Sequence, residues 1–216
     1  MYQPPHFVET RIEVLHDLIR TRPLGLLASN GPNGPMADLV PFILHASEAG
    51  KGLLRAHVAR SNPHWQLLIA QPQIPVLVVF QGPQAYVTPS WYQTKAETGK
   101  VVPTWNYVIV QVRGMASVHP EPEWVLRHVT TLTNRHEENR EKPWAVGDAP
   151  EAFIAQQLRA IVGVEIAIAE IEGKWKASQN RTQADRVGVA GGMAGLPSDD
   201  QQQIAGLVAR YGGIEE

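Results

Sequence analysis

Residues 54–65, LRAHVARSNPHW, organise the interpretation of this chain, because they join a strand, a tight cationic turn and the start of a helix. Asn62 is a strong helix N-cap, and Pro63 suits the first helical position. A helix N-terminus offers free backbone N–H groups and a partial positive charge. With His57 and Arg60 on the turn, the stretch predicts a site for an anion such as a phosphate. The alternative is that Arg60 pairs with a surface carboxylate and that His57 is a core histidine.

The composition sets the class of protein. The chain has 216 residues, 44% of them hydrophobic and 19% charged, which is typical of a globular protein of one large domain or two small ones. The absence of cysteine excludes disulfides, thiolate nucleophiles and cysteine metal sites. A net charge of -2 gives no general attraction for nucleic acid. Neither a signal sequence nor a membrane-spanning apolar run is visible, so we expect a cytoplasmic protein without membrane contact.

Strand patterns separated by turns dominate the first 120 residues. The string NGPNG at 30–34 predicts a hairpin, and Gly82-Pro83 predicts a turn between two short strands. Val108, Val110 and Val112 alternate with other residues, which predicts a strand that turns these valines to one face. About six short strands at hairpin spacing indicate an antiparallel barrel or sandwich.

Helical patterns follow at about 121–162, and a further strand is predicted at 164–171. Gly163 is expected to end the second of these helices. Ser198 with Gln201 three residues later has the form of a capping box for a last helix. The chain therefore reads as mainly β with flanking helices.

A second cationic stretch, GKWKASQNR at 173–181, follows the last predicted strand. Its hydrogen-bond donors suit a phosphate, a carbonyl-rich ring or a nucleic acid backbone. The alternative is a solvated strand end, since exposed lysine is the usual case. The donors are Lys174, Lys176, Ser178, Gln179, Asn180 and Arg181.

The string VPTWNY at 102–107 begins the longest predicted strand and combines an aromatic side chain with polar ones. Trp105 has the shape to stack on a planar ring, and Asn106 has the groups to bond its edge. The alternative is that the aromatic residues of this string belong to an ordinary core.

Motifs for other chemistry are weak. No second histidine follows His136-Glu137 at the spacing of a zinc helix, so we expect no metal site. Ser-His-Asp catalysis stays open, although the nucleophile elbow G-x-S-x-G is absent. Neither a P-loop nor a dinucleotide fingerprint is present. The sequence therefore fixes no catalytic residue.

Six strings in order give the chain a resemblance to the PaiB-type family of FMN-binding negative transcriptional regulators. The resemblance extends from the first residue to about Arg186. The strings are MYxPxHF at 1–7, PLG at 23–25, HVARSNPHW at 57–65, FQGPQAYVTPSWY at 80–92, VPTWNY at 102–107 and EGKWKASQNR at 172–181.

The resemblance implies a split β-barrel of the pyridoxamine-phosphate-oxidase-like type, a homodimer with FMN between two barrels, and a role in repressing genes. On this basis we expect a split-barrel FMN-binding domain at 1–186, with a helical insert at about 121–162, and a C-terminal helical extension at 187–216. Direct binding to DNA has little support in the charge pattern. The alternative function is a flavin-dependent oxidoreductase that does not bind DNA.

The resemblance also gives roles to both cationic stretches. His57, Arg60 and Asn62 are expected to hold the FMN phosphate, although the Ser-Arg-Lys run of other split-barrel flavoproteins is absent here. A second group is expected to reach the ring or the ribityl chain, in part from the partner subunit. It consists of Trp105, Asn106, Lys174, Gln179, Asn180 and Arg181.

Overall fold

The computed structural model describes residues 1–47, 50–73 and 75–214. The strands are β1 (Val8–Glu9), β2 (Leu24–Gly31), β3 (Gly34–Pro41), β4 (Ile43–Ser47), β5 (Gly50–Ala59), β6 (Val76–Val87), β7 (Thr104–His119) and β8 (Ile161–Lys176). The helices are α1 (Ile12–Thr21), α2 (His64–Ala70), α3 (Gln93–Thr98), α4 (Pro122–Glu137), α5 (Glu151–Arg159), α6 (Gln183–Ala194) and α7 (Asp199–Gly212). Single turns of 3-10 helix lie at Pro5–Phe7, Pro89–Trp91 and Val146–Asp148.

These eight strands form one sheet in the order β3-β2-β6-β7-β8-β5-β4, and β1 pairs with β8 beside this path. The registers of β2 with β3, of β4 with β5 and of β5 with β8 are antiparallel. Valines 108, 110 and 112 are buried on one face of β7, as the alternation predicts. None of the helices described here is long and apolar enough to cross a membrane.

The chain divides into two compact units. Each of the long strands β6, β7 and β8 contributes residues to both units. Unit 1 consists of Met1–Leu15, Gln81–Val110 and Glu172–Glu216, and unit 2 consists of His16–Phe80 and Gln111–Ile171.

Unit 2 contains the predicted hairpin, with β2 and β3 joined at positions 32–33. Gly25 on β2 leaves room for two core aromatics, because a Cβ atom there would lie 2.7 Å from Phe80 and 3.1 Å from Phe42. The rings of Phe42 and Phe80 meet edge to face, with centroids 5.7 Å apart. The close contact at Gly25 therefore packs the hairpin against the aromatic core formed by Phe42 and Phe80.

Unit 1 buries α6 and α7 against the end of β6 and the turn that follows it. Val189 and Met193 on α6 and Ile204 and Val208 on α7 are fully buried in this core. Trp91 lies directly on α6, because a Cβ atom at Gly192 would lie 2.4 Å from its indole nitrogen. Small residues in α6 thus let an aromatic side chain approach the helix backbone.

One predicted turn and one predicted helix end are wrong. The strand β6 runs without a turn through Gly82-Pro83. In the described register, residues 77–79 of β6 pair with β2, and Pro83 lies beyond them. Gly163 lies inside β8, and α5 ends before it at Arg159. The ring of Trp124 covers Gly163, since an added Cβ atom would lie 2.2 Å from it.

The C-terminal part is helical, but its predicted cap is absent. Ser198 is the N-cap residue of α7, yet its side chain makes no capping hydrogen bond. The domain boundary at 186 and the limits of the helical insert stay predictions. Positions 48, 49 and 74 of the predicted domain, and positions 215 and 216 of the predicted extension, lie outside the described residues.

Candidate functional site

A cationic cluster of Lys174, Lys176 and Arg181 lies in unit 1, at the end of β8 and in the turn after it. The two lysines share one face of the strand, because strand side chains alternate. Their ammonium nitrogens lie 5.2 Å and 5.9 Å from the ring centroid of Tyr107. Lys174 is buried and donates a hydrogen bond to the carbonyl of Tyr2 at 3.2 Å. The burial and the hydrogen bond of Lys174 therefore hold this part of the cluster in a defined position at the strand end.

The charges of the cationic cluster act on one another. Burial lowers the pKa of Lys176, and the charges of Lys174 and Arg181 lower it further. Lys176 donates to Thr104 Oγ1 and to the carbonyl of Trp105, which are both uncharged. In the described part of the chain neither lysine forms an ion pair with a carboxylate. Asp185 opposes the charge of Arg181, but the two lysines leave the strand end with a local excess of positive charge that an anion would relieve.

The turn after β8 is braced by its own side chains. Gln179 Oε1 accepts from the N–H of Ala177 at 2.7 Å, and Gln179 Nε2 donates to the carbonyl of Trp175. Ser178 takes the left-handed conformation, with φ 62°, which is uncommon outside glycine. Arg181 lies over the ring of Tyr92 at 4.8 Å, and Asn180 is exposed. Gln179 thus fixes the turn, while Asn180 is accessible from solvent.

Asn106 supplies an unsatisfied hydrogen-bonding group in the same unit. Its side chain is fully buried, and its Nδ2 donates to Ser178 Oγ at 2.9 Å. Its Oδ1 is buried and has no partner among the described residues. A buried polar atom without a partner costs roughly 1–3 kcal/mol. Such an atom indicates a place where a bound donor would be stabilising.

Trp105, next along β7, points to the opposite side of the strand and is 53% exposed. Its indole contacts Tyr86 edge to face, with centroids 6.0 Å apart. The ring is therefore free to stack on another planar group, and the core alternative for Trp105 is wrong. Tyr107 is half-buried under the two lysines.

In unit 2, Arg60 has partners within the chain. Its Nε donates to the carbonyl of Arg159 at 3.0 Å, and its Nη2 donates to the carbonyl of Ile161 at 3.4 Å. Its guanidinium also lies 5.8 Å from the ring centroid of Trp65. The expected pairing with a surface carboxylate is absent from these contacts. Arg60 instead joins the turn after β5 to the start of β8.

His57 is a half-buried histidine, and burial lowers the pKa of its imidazole, which favours the neutral form. Its ring meets that of His128 edge to face, with centroids 5.3 Å apart. Its Nδ1 is buried and unpartnered among the described residues. This geometry favours the core alternative for His57 over the binding of a phosphate dianion.

Asn62 belongs to a polar network that the sequence did not reveal. Its Oδ1 accepts from the backbone N–H of His64 at 2.9 Å, as expected of a residue before a helix. The side chain of His64 is fully buried and bridges Ser29 Oγ and Asp38 Oδ2, at 2.7 Å each. A hydrogen bond from His64, with a second from Asn62, lowers the pKa of Asp38 against the opposing effect of burial. The network ties α2 to the β2–β3 hairpin.

The order Ser29–His64–Asp38 is that of a Ser-His-Asp triad. Here the histidine has no exposed surface, whereas the Asp38 side chain is 34% exposed. A general base must reach the proton that it takes from a nucleophile attacking a bound substrate. The geometry therefore favours a structural role in which His64 positions the hairpin.

The residues predicted to reach the ring or ribityl chain all lie in unit 1, with Trp105 and Asn106 on opposite faces of β7. The residues predicted to bind the phosphate, His57, Arg60 and Asn62, lie in unit 2. No flavin contact is predicted from the sequence for Lys176 or Ser178. The predicted strand ends at residue 171, whereas β8 continues to Lys176. In a strand of that length, alternation alone places Lys174 and Lys176 on one face. No local signal predicts the left-handed Ser178.

Comparison with known proteins decides the family. A family model described as "Putative FMN-binding domain" matches residues 1–170. An uncharacterised protein of Emericella nidulans is 35% identical over 100% of this chain and 99% of its own length. The Bacillus subtilis protein named protease synthase and sporulation protein PAI 2 is 28% identical over 96% of each chain.

The chain belongs to this family of FMN-binding domains. The resemblance to the PaiB type is thereby confirmed, and so is FMN as the cofactor. The FAD and heme binding protein from Mycobacterium smegmatis matches with a TM-score of 0.57 and 18% identity, over 78% of this chain and 73% of that one. The expected fold class, mainly β with flanking helices and of the split-barrel type, is confirmed as well.

The residues of unit 1 fit such a cofactor. FMN has a dianionic phosphate, which suits the cationic cluster, and a planar ring with donors and acceptors at its edge. The unsatisfied Oδ1 of Asn106 has the chemistry to accept a hydrogen bond from such an edge, but Asn106 has no exposed surface, so the side chains that cover it would first have to move. When bound, the flavin supplies reversible redox chemistry that protein side chains lack.

Proposed function

We propose that this chain is a homodimeric FMN protein of the PaiB type that acts in negative transcriptional control inside the cytoplasm. The cationic cluster carries the FMN part of the proposal, because three cations lie together at the end of β8, next to a turn that is hydrogen-bonded to the buried Asn106. The regulatory part is supported by the relative in Bacillus subtilis, whose name refers to protease synthesis and sporulation.

Within this proposal Lys174, Lys176 and Arg181 bind the anionic end of the cofactor. Asn106 accepts from the ring edge, Asn180 adds a polar contact, and Gln179 holds the turn in shape. His57, Arg60 and Asn62 remain candidates for a phosphate contact, although their observed partners favour structural roles.

The dimer has support from the exposed surface of unit 1. Trp105, Tyr86 and Val102 are 53%, 45% and 64% exposed. Exposed aromatic and aliphatic side chains of this kind are typical of interfaces. A second copy covering this patch would allow Trp105 to stack on the flavin of its partner. Light scattering at micromolar concentration tests this: a dimer is expected for the native chain, and a monomer would contradict it.

Direct reading of DNA by a helix is weakly supported. No helix in the described ranges carries more than two Lys or Arg residues, and the net charge of the chain is -2. This observation favours the second candidate function, a flavin-dependent oxidoreductase, or control exerted through another macromolecule.

Two assays on the flavin-loaded protein separate these functions. A regulator is expected to shift promoter DNA of its own operon, or to repress a reporter gene, in a flavin-dependent manner. An oxidoreductase is expected to oxidise NADH or NADPH through multiple turnovers with an acceptor. Turnover without repression would overturn the regulatory proposal, and a purified protein that neither contains nor takes up FMN would overturn its flavin part.

A further inference from the structure

A cavity in unit 2 combines arginine, histidine and tryptophan side chains. Arg55 of the first cationic stretch lines it, and His57 of the same stretch packs against its residue His128. Its volume is about 250 Å³. At roughly 30 Å³ for each molecule, it has room for about eight waters. The residues that line it are His45, Arg55, Trp124, Arg127, His128 and Thr131.

His128 is the unsatisfied polar group of this cavity. Only 4% of the residue is exposed, and neither ring nitrogen has a hydrogen-bond partner among the described residues. Burial lowers the pKa of His128 to about 3, with further lowering from His57, Arg55 and His45. The ring is therefore neutral at pH 7 and keeps one N–H donor for a ligand.

The charges around the cavity are mostly positive. Arg55 Nε donates to Glu165 Oε2 at 2.7 Å, so one carboxylate balances one guanidinium. The guanidinium of Arg127 has no hydrogen-bond or ion-pair partner within the described segments. Burial and the nearby charges of Arg55 and Arg135 lower the pKa of His45, and Glu165 opposes them. Among the residues that line the cavity, the guanidinium of Arg127 is therefore the charge that no carboxylate balances.

Aromatic packing holds these groups in place. The Trp124 ring stacks on His119 with centroids 4.5 Å apart and lies 5.5 Å from His128. The Arg55 guanidinium lies 5.7 Å from the Trp124 ring centroid. The Trp124 ring packs directly on Gly163, where a side chain would not fit. This close contact between α4 and β8 holds the wall of the cavity in place.

We propose that this cavity binds a small oxyanion, a carboxylate or a phosphate, between the Arg127 guanidinium and the His128 imidazole. Such an anion forms an ion pair with the guanidinium of Arg127 and accepts a hydrogen bond from the N–H of His128. A cation is disfavoured by the arginines, and in the described part no group of three potential ligands is arranged to hold a metal ion.

The test uses the full chain saturated with FMN, so that the flavin's own phosphate site is filled. Inorganic phosphate and succinate are titrated separately at constant ionic strength, with sodium chloride as the reference salt. Binding is followed by calorimetry and by the imidazole nitrogen resonances of His128. We expect a saturable shift of these resonances, and the tighter of the two ligands identifies the anion class.

Arg127→Gln is expected to weaken that binding about tenfold, because one charge-assisted contact is lost. Arg140→Gln is the matched control, since it removes the same charge from an exposed arginine that pairs with Glu137. An absence of saturable shift up to 100 mM ligand (on the order of the weakest specific binding), or equal weakening in both variants, would overturn the proposal. A chain that fails to bind FMN can still be titrated in the same way, so the two proposals fail separately.

Discussion

The two cationic stretches of this chain resemble each other in sequence and differ in structure. At 54–65 Arg55 pairs with Glu165, and Arg60 donates to backbone carbonyls. The polar groups of Asn62 and His64 are satisfied within the chain, whereas the buried Nδ1 of His57 has no partner among the described residues. At 173–181 three cations lie together, and the nearby Asn106 keeps an unsatisfied oxygen. Basic residues next to a turn thus do not by themselves make an anion site. The internal partners that the fold provides decide how many donors remain for a ligand.

The largest effect is expected from removing two charges of the cationic cluster. The double variant Lys176→Met with Arg181→Met should weaken FMN binding by about 100-fold or more, since each charge-assisted contact contributes roughly 1.5–3 kcal/mol. Titration followed by flavin fluorescence measures the affinity. The matched control replaces Lys51 and Arg140, two exposed cations, with methionine. A decrease in FMN affinity of less than about threefold in the test variant would contradict the proposed role of the cationic cluster.

His64→Ala sharpens the other side of the comparison. It removes a buried ring that bridges Ser29 and Asp38, so the free energy of unfolding should fall by about 2–3 kcal/mol. Urea denaturation measures the loss, and the exposed His136→Ala is the control. Unchanged stability would mean that the network serves something other than folding.

Asn106→Leu tests the unsatisfied oxygen. FMN binding should weaken about tenfold, while the free energy of unfolding changes little, because an unpaired buried oxygen is also removed. Affinity and urea denaturation are measured on the same samples. Native affinity in the variant would remove Asn106 from the proposed site.

The pH dependence of FMN binding should carry the signature of Lys176. Its pKa is lowered, so the free protein loses this charge at a lower pH than ordinary lysine, and affinity should decline on the alkaline side. Lys176→Arg keeps its charge and should flatten this decline, an effect of less than about tenfold. Identical pH profiles for lysine and arginine at this position would assign the decline to another group.

The smallest effect is expected from Arg60→Met. Because its guanidinium donates to two carbonyls, the variant should change FMN affinity by less than about threefold and should lower stability by about 1 kcal/mol. Affinity and thermal unfolding are compared with those of the native chain. A large loss of affinity at unchanged stability would return the phosphate role to Arg60, the role that the sequence predicts.

Local patterns predicted much of the fold. The hairpin at 30–34, the face of β7 with its three valines and the helical C-terminal part follow from residues close together in the chain. The predicted turn at Gly82-Pro83 and the predicted helix end at Gly163 were wrong. Strand β6 continues through Gly82-Pro83 and the distant Trp124 covers Gly163, and neither fact is contained in a short window of sequence.

The sequence by itself determined the family, the cofactor and the two stretches where cations lie near turns, because motifs and charges are properties of the chain. Only the tertiary structure decided which polar groups are satisfied. Hydrogen bonds between residues such as Ser29 and His64, or Asn106 and Ser178, join positions that are far apart in sequence. Whether a donor is left for a ligand therefore depends on how the chain folds.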